Sequence, residues 1–118
     1  MTELSLLVVN YNSWALCVEA LRTFAAHPPT RADGSPMAWE AIVVDNDSPL
    51  RDAAAEAEVE RLCGASGGRL IRHDANAGYS IGMNLAYAAA RGDWIVVSNP
   101  DVAFLPNTVN PLLRAMER

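Results

Sequence analysis

Four short apolar runs, each stopped near an asparagine or aspartate and each followed by a helical pattern, constrain this chain more than any other feature. The first, Leu4 to Val9 (LSLLVV), is continuous and ends in β-branched residues. That is how a strand buried on both faces reads. Trp39 to Val44 (WEAIVV), Arg69 to Arg72 (RLIR) and Trp94 to Ser98 (WIVVS) repeat the theme. Between the first two, Trp14, Cys17, Val18, Leu21, Phe24 and Ala25 share one helix face, which predicts a helix to about His27. Asn12 or Ser13 is placed to cap its first turn. Pro28 to Pro36 is dense in turn residues and reads as a mobile loop. Arg51 to Cys63 predicts a mostly exposed helix with Ala55, Val59 and Leu62 inward. Ser80 to Arg91 predicts another, with Gly92 as its C-terminal cap. Leu105, Val109, Leu112, Leu113 and Met116 mark a last helix. Pro106 suits its first turn, and Pro111 is expected to delay or bend it. Strict alternation of this kind predicts an α/β fold, an open and mostly parallel sheet with helices on both faces, as a single domain over residues 1–118.

Composition removes several classes of function. The net charge of -5 argues against a nucleic-acid binder, which needs basic residues to neutralise phosphates. All nine basic residues are arginine. The absence of lysine excludes a Schiff base, a P-loop and a phospho-receiver lysine. No Gly-x-Gly-x-x-Gly follows the first strand, which argues against a dinucleotide fold. Cys17 and Cys63 lack metal-ligand spacing, and Cys17 sits where a buried thiol is expected. His27 and His73 have no partner pattern. LSLLVV is too short to span a membrane and lacks the basic flank of a signal peptide, so a cytoplasmic domain is expected. An attached membrane segment elsewhere in a longer protein stays open.

In open parallel sheets, ligands bind beyond the carboxyl ends of the strands. The residues there are Asn10, Asp45, Asp74, and Asn99 with Asp101. Turn chemistry alone favours each of them singly; together, on one rim, they point to a polar site. Pro100 holds Asn99 extended and sets Asp101 beyond the sheet edge. One carboxylate suits a divalent ion, Mn²⁺ or Mg²⁺, when phosphate oxygens and water complete the shell. A plain Asn-Pro-Asp turn is the alternative.

The segments LLVVNYNSW, AIVVDNDSP and NAGYSIGMNLAYAAARGDWIVVSNPDV resemble the nucleotide-sugar-binding half of family 2 glycosyltransferases of the GT-A fold, particularly the rhamnosyltransferase-like branch. The resemblance runs from about Leu4 to Met116. It implies that Asn10, Tyr11 and Asn12 line the base and ribose pocket, although an Asn-rich helix cap would look the same. It implies that Asp45 accepts a hydrogen bond from the ring N–H of uracil or thymine. Asn46 and Asp47 either assist or form the turn before Pro49. Asn76 and Gly78 lie where the family's loop passes the nucleotide, Tyr79 is either a core residue or packs on the ligand, and Gly78 and Gly82 permit close backbone approach. Asn84 lies near where the family often has an arginine or asparagine facing the diphosphate, although a solvent-facing helix asparagine would look the same. Asn99, Pro100 and Asp101 match the family's Asp-x-Asp motif in an Asn-x-Asp form, with Asp101 as the metal ligand.

The resemblance also implies a partner and a gap. The expected ligand is a nucleotide-diphosphate sugar of UDP or dTDP type, for transfer to an acceptor glycan or lipid-linked sugar. Acceptor contacts and the general base belong to a C-terminal half absent from this sequence; Glu117 and Asp93 are poorly placed for that role. A non-catalytic nucleotide-binding module is the competing expectation. An exposed sheet edge makes a homodimer a further one.

Overall fold

In a computed structural model, described for residues 1–76 and 78–117, the alternation holds throughout. The elements are β1 (Leu4–Asn10), α1 (Trp14–Ala26), β2 (Trp39–Asn46), α2 (Ala53–Ala65), β3 (Arg69–His73), α3 (Tyr79–Ala89), β4 (Trp94–Ser98) and α4 (Val109–Met116). The sheet order is β3-β2-β1-β4, and every pairing is parallel. The chain therefore winds outward from β1 through β2 to β3, then returns to lay β4 on the other side of β1. The switch point of the topology falls between β1 and β4.

The two central strands are the most apolar, and burial follows. β1 is buried along its whole length, and β2 from Glu40 onward. Alternation sends Leu4, Leu6, Val8, Ala41 and Val43 to one face, against α1, α2 and α4. Leu7, Ile42 and Val44 go to the other, against Ala86 and Met83 of α3. Phe24 meets Trp39 and Phe104 edge-on, with ring centroids 4.9 and 5.0 Å apart, a favourable aromatic geometry. Helices thus cover both faces, three on one side and one on the other.

At the amino-terminal edge a buried carboxylate ties the layers. Glu40 is 1 % exposed. It accepts from the Ser5 hydroxyl at 2.6 Å, the Arg91 amide at 2.7 Å and the Arg91 guanidinium at 3.0 Å. Ser5 in turn accepts from the Gly92 amide at 2.9 Å.

Several local expectations are corrected. Gly92 does not cap α3, which ends at Ala89 with Ala90 extended. It is glycine because the chain crosses β1 there: a Cβ would lie 2.7 Å from the Leu4 carbonyl carbon and the Ser5 nitrogen. Neither Asn12 nor Ser13 caps α1 through its side chain. Ser13 donates its hydroxyl to the Tyr11 carbonyl, and Asn12 accepts from the Leu50 amide. The side-chain cap appears instead on α2, where Asp52 accepts from the Ala55 amide. α4 starts at Val109, so Leu105 and Pro106 precede it. Pro111 sits in its first turn, where a missing N–H costs nothing. The loop read as mobile is fastened to α4: the Thr30 amide donates to Asn110 at 2.8 Å, and Arg114 donates to the Thr30 carbonyl at 2.8 Å. Among the described residues, no helix is long and apolar enough to cross a membrane.

Candidate functional site

Parallel register brings the strand ends to one rim. Asn10 stands opposite Asp45, Asn46 opposite His73, and Val8 opposite Ser98. A cleft of 350 Å³ opens at this rim, lined by Val9, Tyr11, Asn46, Asn76, Tyr79, Asn99 and Pro100. It lies at the β1/β4 switch point and extends over β2, where ligands of open α/β sheets bind. Six of its seven lining residues are ones the sequence singled out, and the seventh, Val9, is its apolar floor. Tyr11 and Tyr79 are 44 % and 48 % exposed. Two accessible phenol rings beside three amide side chains suit a ligand with a flat ring and many polar edges.

Beneath the rim lies a polar clasp. Asp45 is 5 % exposed. Its Oδ1 accepts from Asn10 Nδ2 at 3.0 Å and from the Ser48 hydroxyl at 2.5 Å; its Oδ2 accepts from the Ser48 amide at 3.1 Å. Ser48 Oγ accepts from the Asn12 amide at 2.9 Å. One carboxylate therefore orders both the β1–α1 and the β2–α2 loops. A carboxylate has about four acceptor positions, of which three are used here, and Asp45 itself is not among the residues lining the cleft. Serine three residues after the aspartate is a local turn pattern, and it was the available signal for Ser48, which sequence reasoning missed.

Alternation sends the next side chain to the opposite face. Asn46 is 2 % exposed and donates to the Gly78 carbonyl at 3.0 Å. Asn76 accepts from the Gly78 amide at 3.3 Å. Gly78 has φ 92°, a backbone that side-chain-bearing residues rarely adopt. α3 begins directly after it, with no acidic residue in its first turn.

Other expected residues stand apart from the cleft lining. Asn10 is fully buried and supports Asp45. Asn12 lines a separate depression beside α1. Asp47 is an exposed turn residue with φ 55°. Asn84 and Asp74 are exposed and away from the cleft. Asp101 is exposed in the turn beyond Pro100, adjacent to the lining residues rather than among them. No group of three metal-ligating side chains occurs among the described residues. Cys17 and Cys63 are buried, and burial pushes both thiols up to about 12, which keeps them unreactive. A larger apolar groove of 550 Å³ runs between β4 and α4 and shares Tyr79 and Asn99 with the rim cleft.

This fold and rim define an open parallel α/β domain with a ligand cleft at its switch point. Residues 5–118 match the family described as Glycosyl transferase family 2, and the chain belongs to that family. No curated protein matches it significantly. Among solved structures, S. aureus TarS 1-349 superposes with TM-score 0.75 at 20 % identity, over 98 % of this chain and 32 % of that one. The same protein in complex with UDP gives 0.72 at 19 % identity, over 98 % and 31 %. The mannosyltransferase PcManGT from Pyrobaculum calidifontis, in complex with GDP-Man and Mn²⁺, gives 0.67 at 21 % identity, over 86 % and 28 %. The chain thus spans about a third of the length of these structures. At such identities the likeness is one of fold.

Proposed function

We propose that the rim cleft binds the nucleoside diphosphate of a sugar donor and that the chain serves glycosyl transfer from that donor. The observation that carries this reading is the cleft itself: four strand ends converge at the switch point, with two tyrosine rings and three amides lining it. Tyr11 and Tyr79 would flank base and ribose. Asp45, just beneath the cleft lining, would offer its remaining acceptor position to a ring N–H, which uracil and thymine both present, so a UDP or dTDP donor fits. The uncapped start of α3 favours negative charge nearby, as a diphosphate requires. Complexes of the structural neighbours with UDP and with GDP-Man and Mn²⁺ support the ligand class.

A divalent ion, Mn²⁺ or Mg²⁺, belongs to the same reading. Asp101 offers a single exposed carboxylate, a hard oxygen donor that fits an ion whose remaining ligands are diphosphate oxygens and water. When bound, such an ion neutralises charge on the departing diphosphate. Within this chain Asp101 would hold the ion, Asn99 would stand beside it, and Pro100 would set the spacing. The acceptor, a glycan or lipid-linked sugar, and the general base would come from outside these residues. Asp93 precedes β4 at the opposite edge of the sheet, and among the described residues no acid lines the cleft. That last observation favours, as a second reading, a module that binds the nucleotide without transfer.

Calorimetric titration of UDP, dTDP and CDP, with and without Mn²⁺, tests the proposal. Asp101→Ala should abolish the Mn²⁺-dependent gain in affinity. Asp45→Asn should reduce the preference for uracil and thymine over cytosine, whose ring nitrogen carries no hydrogen. Identical binding by both variants and the wild type would overturn the assignment. Transfer assays on the full-length protein then separate enzyme from binding module.

A further inference from the structure

We infer that Asn46 is a positioning residue for the cleft: its amide holds the Gly78 carbonyl and so the first turn of α3, and Gly82 lacks a side chain to house that amide. The inference rests on the reading of the cleft as the donor site. It concerns how that site is shaped rather than what touches the ligand.

The Gly78 carbonyl accepts twice, from Asn46 Nδ2 at 3.0 Å and from the Gly82 amide at 3.2 Å. The second bond is the opening helical bond of α3, so the two donors fix one carbonyl jointly. On its other side Gly78 is held by Asn76, whose Oδ1 accepts the Gly78 amide. A residue at φ 92° has few alternative states once both its polar groups are committed. Tyr79 follows immediately and lines the cleft. Where Gly78 sits therefore decides where the Tyr79 ring and the leading amides of α3 sit.

Gly82 supplies the second observation. Glycine inside a helix is destabilising relative to alanine, so its place in the α3 interior requires a cause. A Cβ there would lie 3.0 Å from Asn46 Nδ2, 3.0 Å from Val9 Cγ1 and 3.2 Å from Asn46 Oδ1. The missing side chain is the berth of the asparagine amide.

The third observation is an orphan. Asn46 Oδ1 is buried and has no hydrogen-bond partner. A side chain kept only to fill space would not retain an unpaired buried acceptor, which is costly. The donating half of the amide is what the position uses. Asn46 borders the cleft but is almost fully buried, and its amide donor is committed to the Gly78 carbonyl, so it acts through Gly78.

Asn46→Asp tests this, since it preserves shape but removes the donor while ionised. At about pH 8 the variant should exchange its Gly82 amide hydrogen about tenfold faster than wild type. It should bind UDP with Mn²⁺ about five- to tenfold more weakly. Burial raises the new carboxyl, and lowering the pH through its titration protonates it and restores a donor, so both defects should shrink relative to wild type in acid. His73, paired with Asn46 in the sheet, and the flanking Asp45 and Asp47 are the charged and titratable neighbours, present in both proteins. Gly82→Ala should shift the amide and weaken binding in the same direction. Adding Asn46→Ser should regain thermal stability without regaining affinity. Unchanged Gly82 exchange in Asn46→Asp overturns the latch. Faster exchange with unchanged affinity overturns its positioning role. A wild type that binds none of the nucleotides sinks the donor reading instead, and the exchange data then decide the latch alone.

Discussion

Gly92 and Asp45 show two different ways in which one residue carries a fold. At Gly92 the requirement is steric: any Cβ falls 2.7 Å from β1 backbone atoms, and backbone cannot yield as a flexible side chain can. Gly92→Ala should lower unfolding free energy by about 2 kcal/mol, read as a shift in the urea midpoint at unchanged slope. At Asp45 the requirement is chemical. Asp45→Asn keeps the shape but forfeits a charged acceptor of three bonds from Asn10 and Ser48, and should cost about 2 kcal/mol. It should also loosen the loop holding Tyr11, which near-ultraviolet dichroism of the tyrosines would report. Asp45 was legible in the sequence because every strand end carries an asparagine or aspartate, which together mark one polar rim. Gly92 was misread because its neighbour in space is β1, some 87 positions away along the hydrogen-bonded pair Ser5–Gly92. Local pattern suggested a helix cap; a non-local crossing decided.

Elements are held together by a second buried acid, and here pH is the probe. Burial alone pushes the Glu40 carboxyl up, but the Ser5 hydroxyl and the Arg91 amide and guanidinium outweigh it and hold the group below its ordinary 4.5. Glu56 behaves alike: burial is outweighed by the Asp52 amide, Arg72 and Arg51. A carboxyl with a lower value in the folded state stabilises fully above its unfolded value and loses that contribution as pH falls through the folded one. Unfolding free energy should therefore decline below about pH 4.5. Glu40→Gln should be about 2 kcal/mol less stable near neutrality, yet decline less steeply in acid. An identical slope would remove Glu40 from the account. These ties join β1, β2 and the α3–β4 turn, which no periodicity reveals. What periodicity did reveal was the existence, kind and order of all eight elements. Their ends moved where backbone pairing continued past the apolar run: β1 and β2 run on into Asn10, opposite Asp45, and Asn46, opposite His73.

Across the whole molecule, the strand order that creates the cleft also leaves β4 as an edge. β1 pairs with it along Trp94 to Ser98, and its outer side has no strand. Beside it the groove against α4 exposes Val97 at 53 %, Leu112 at 63 % and Met116 at 70 %. An unpaired edge next to apolar side chains favours pairing with another chain. The net charge of -5 opposes it, since every copy repels its neighbours. The two effects respond oppositely to salt. Screening shortens the reach of repulsion to about 8 Å at physiological ionic strength, while apolar contact is not weakened. We therefore expect the 118-residue chain to self-associate with rising concentration, and more strongly as sodium chloride is added. Leu112→Glu, on the groove and away from the rim cleft, should return it to monomer and reduce binding of an apolar dye. Association that fades with salt would point to charge pairing instead. A monomer at every concentration and salt level would show that this edge protects itself, for which the short length of β4 is the available physical cause.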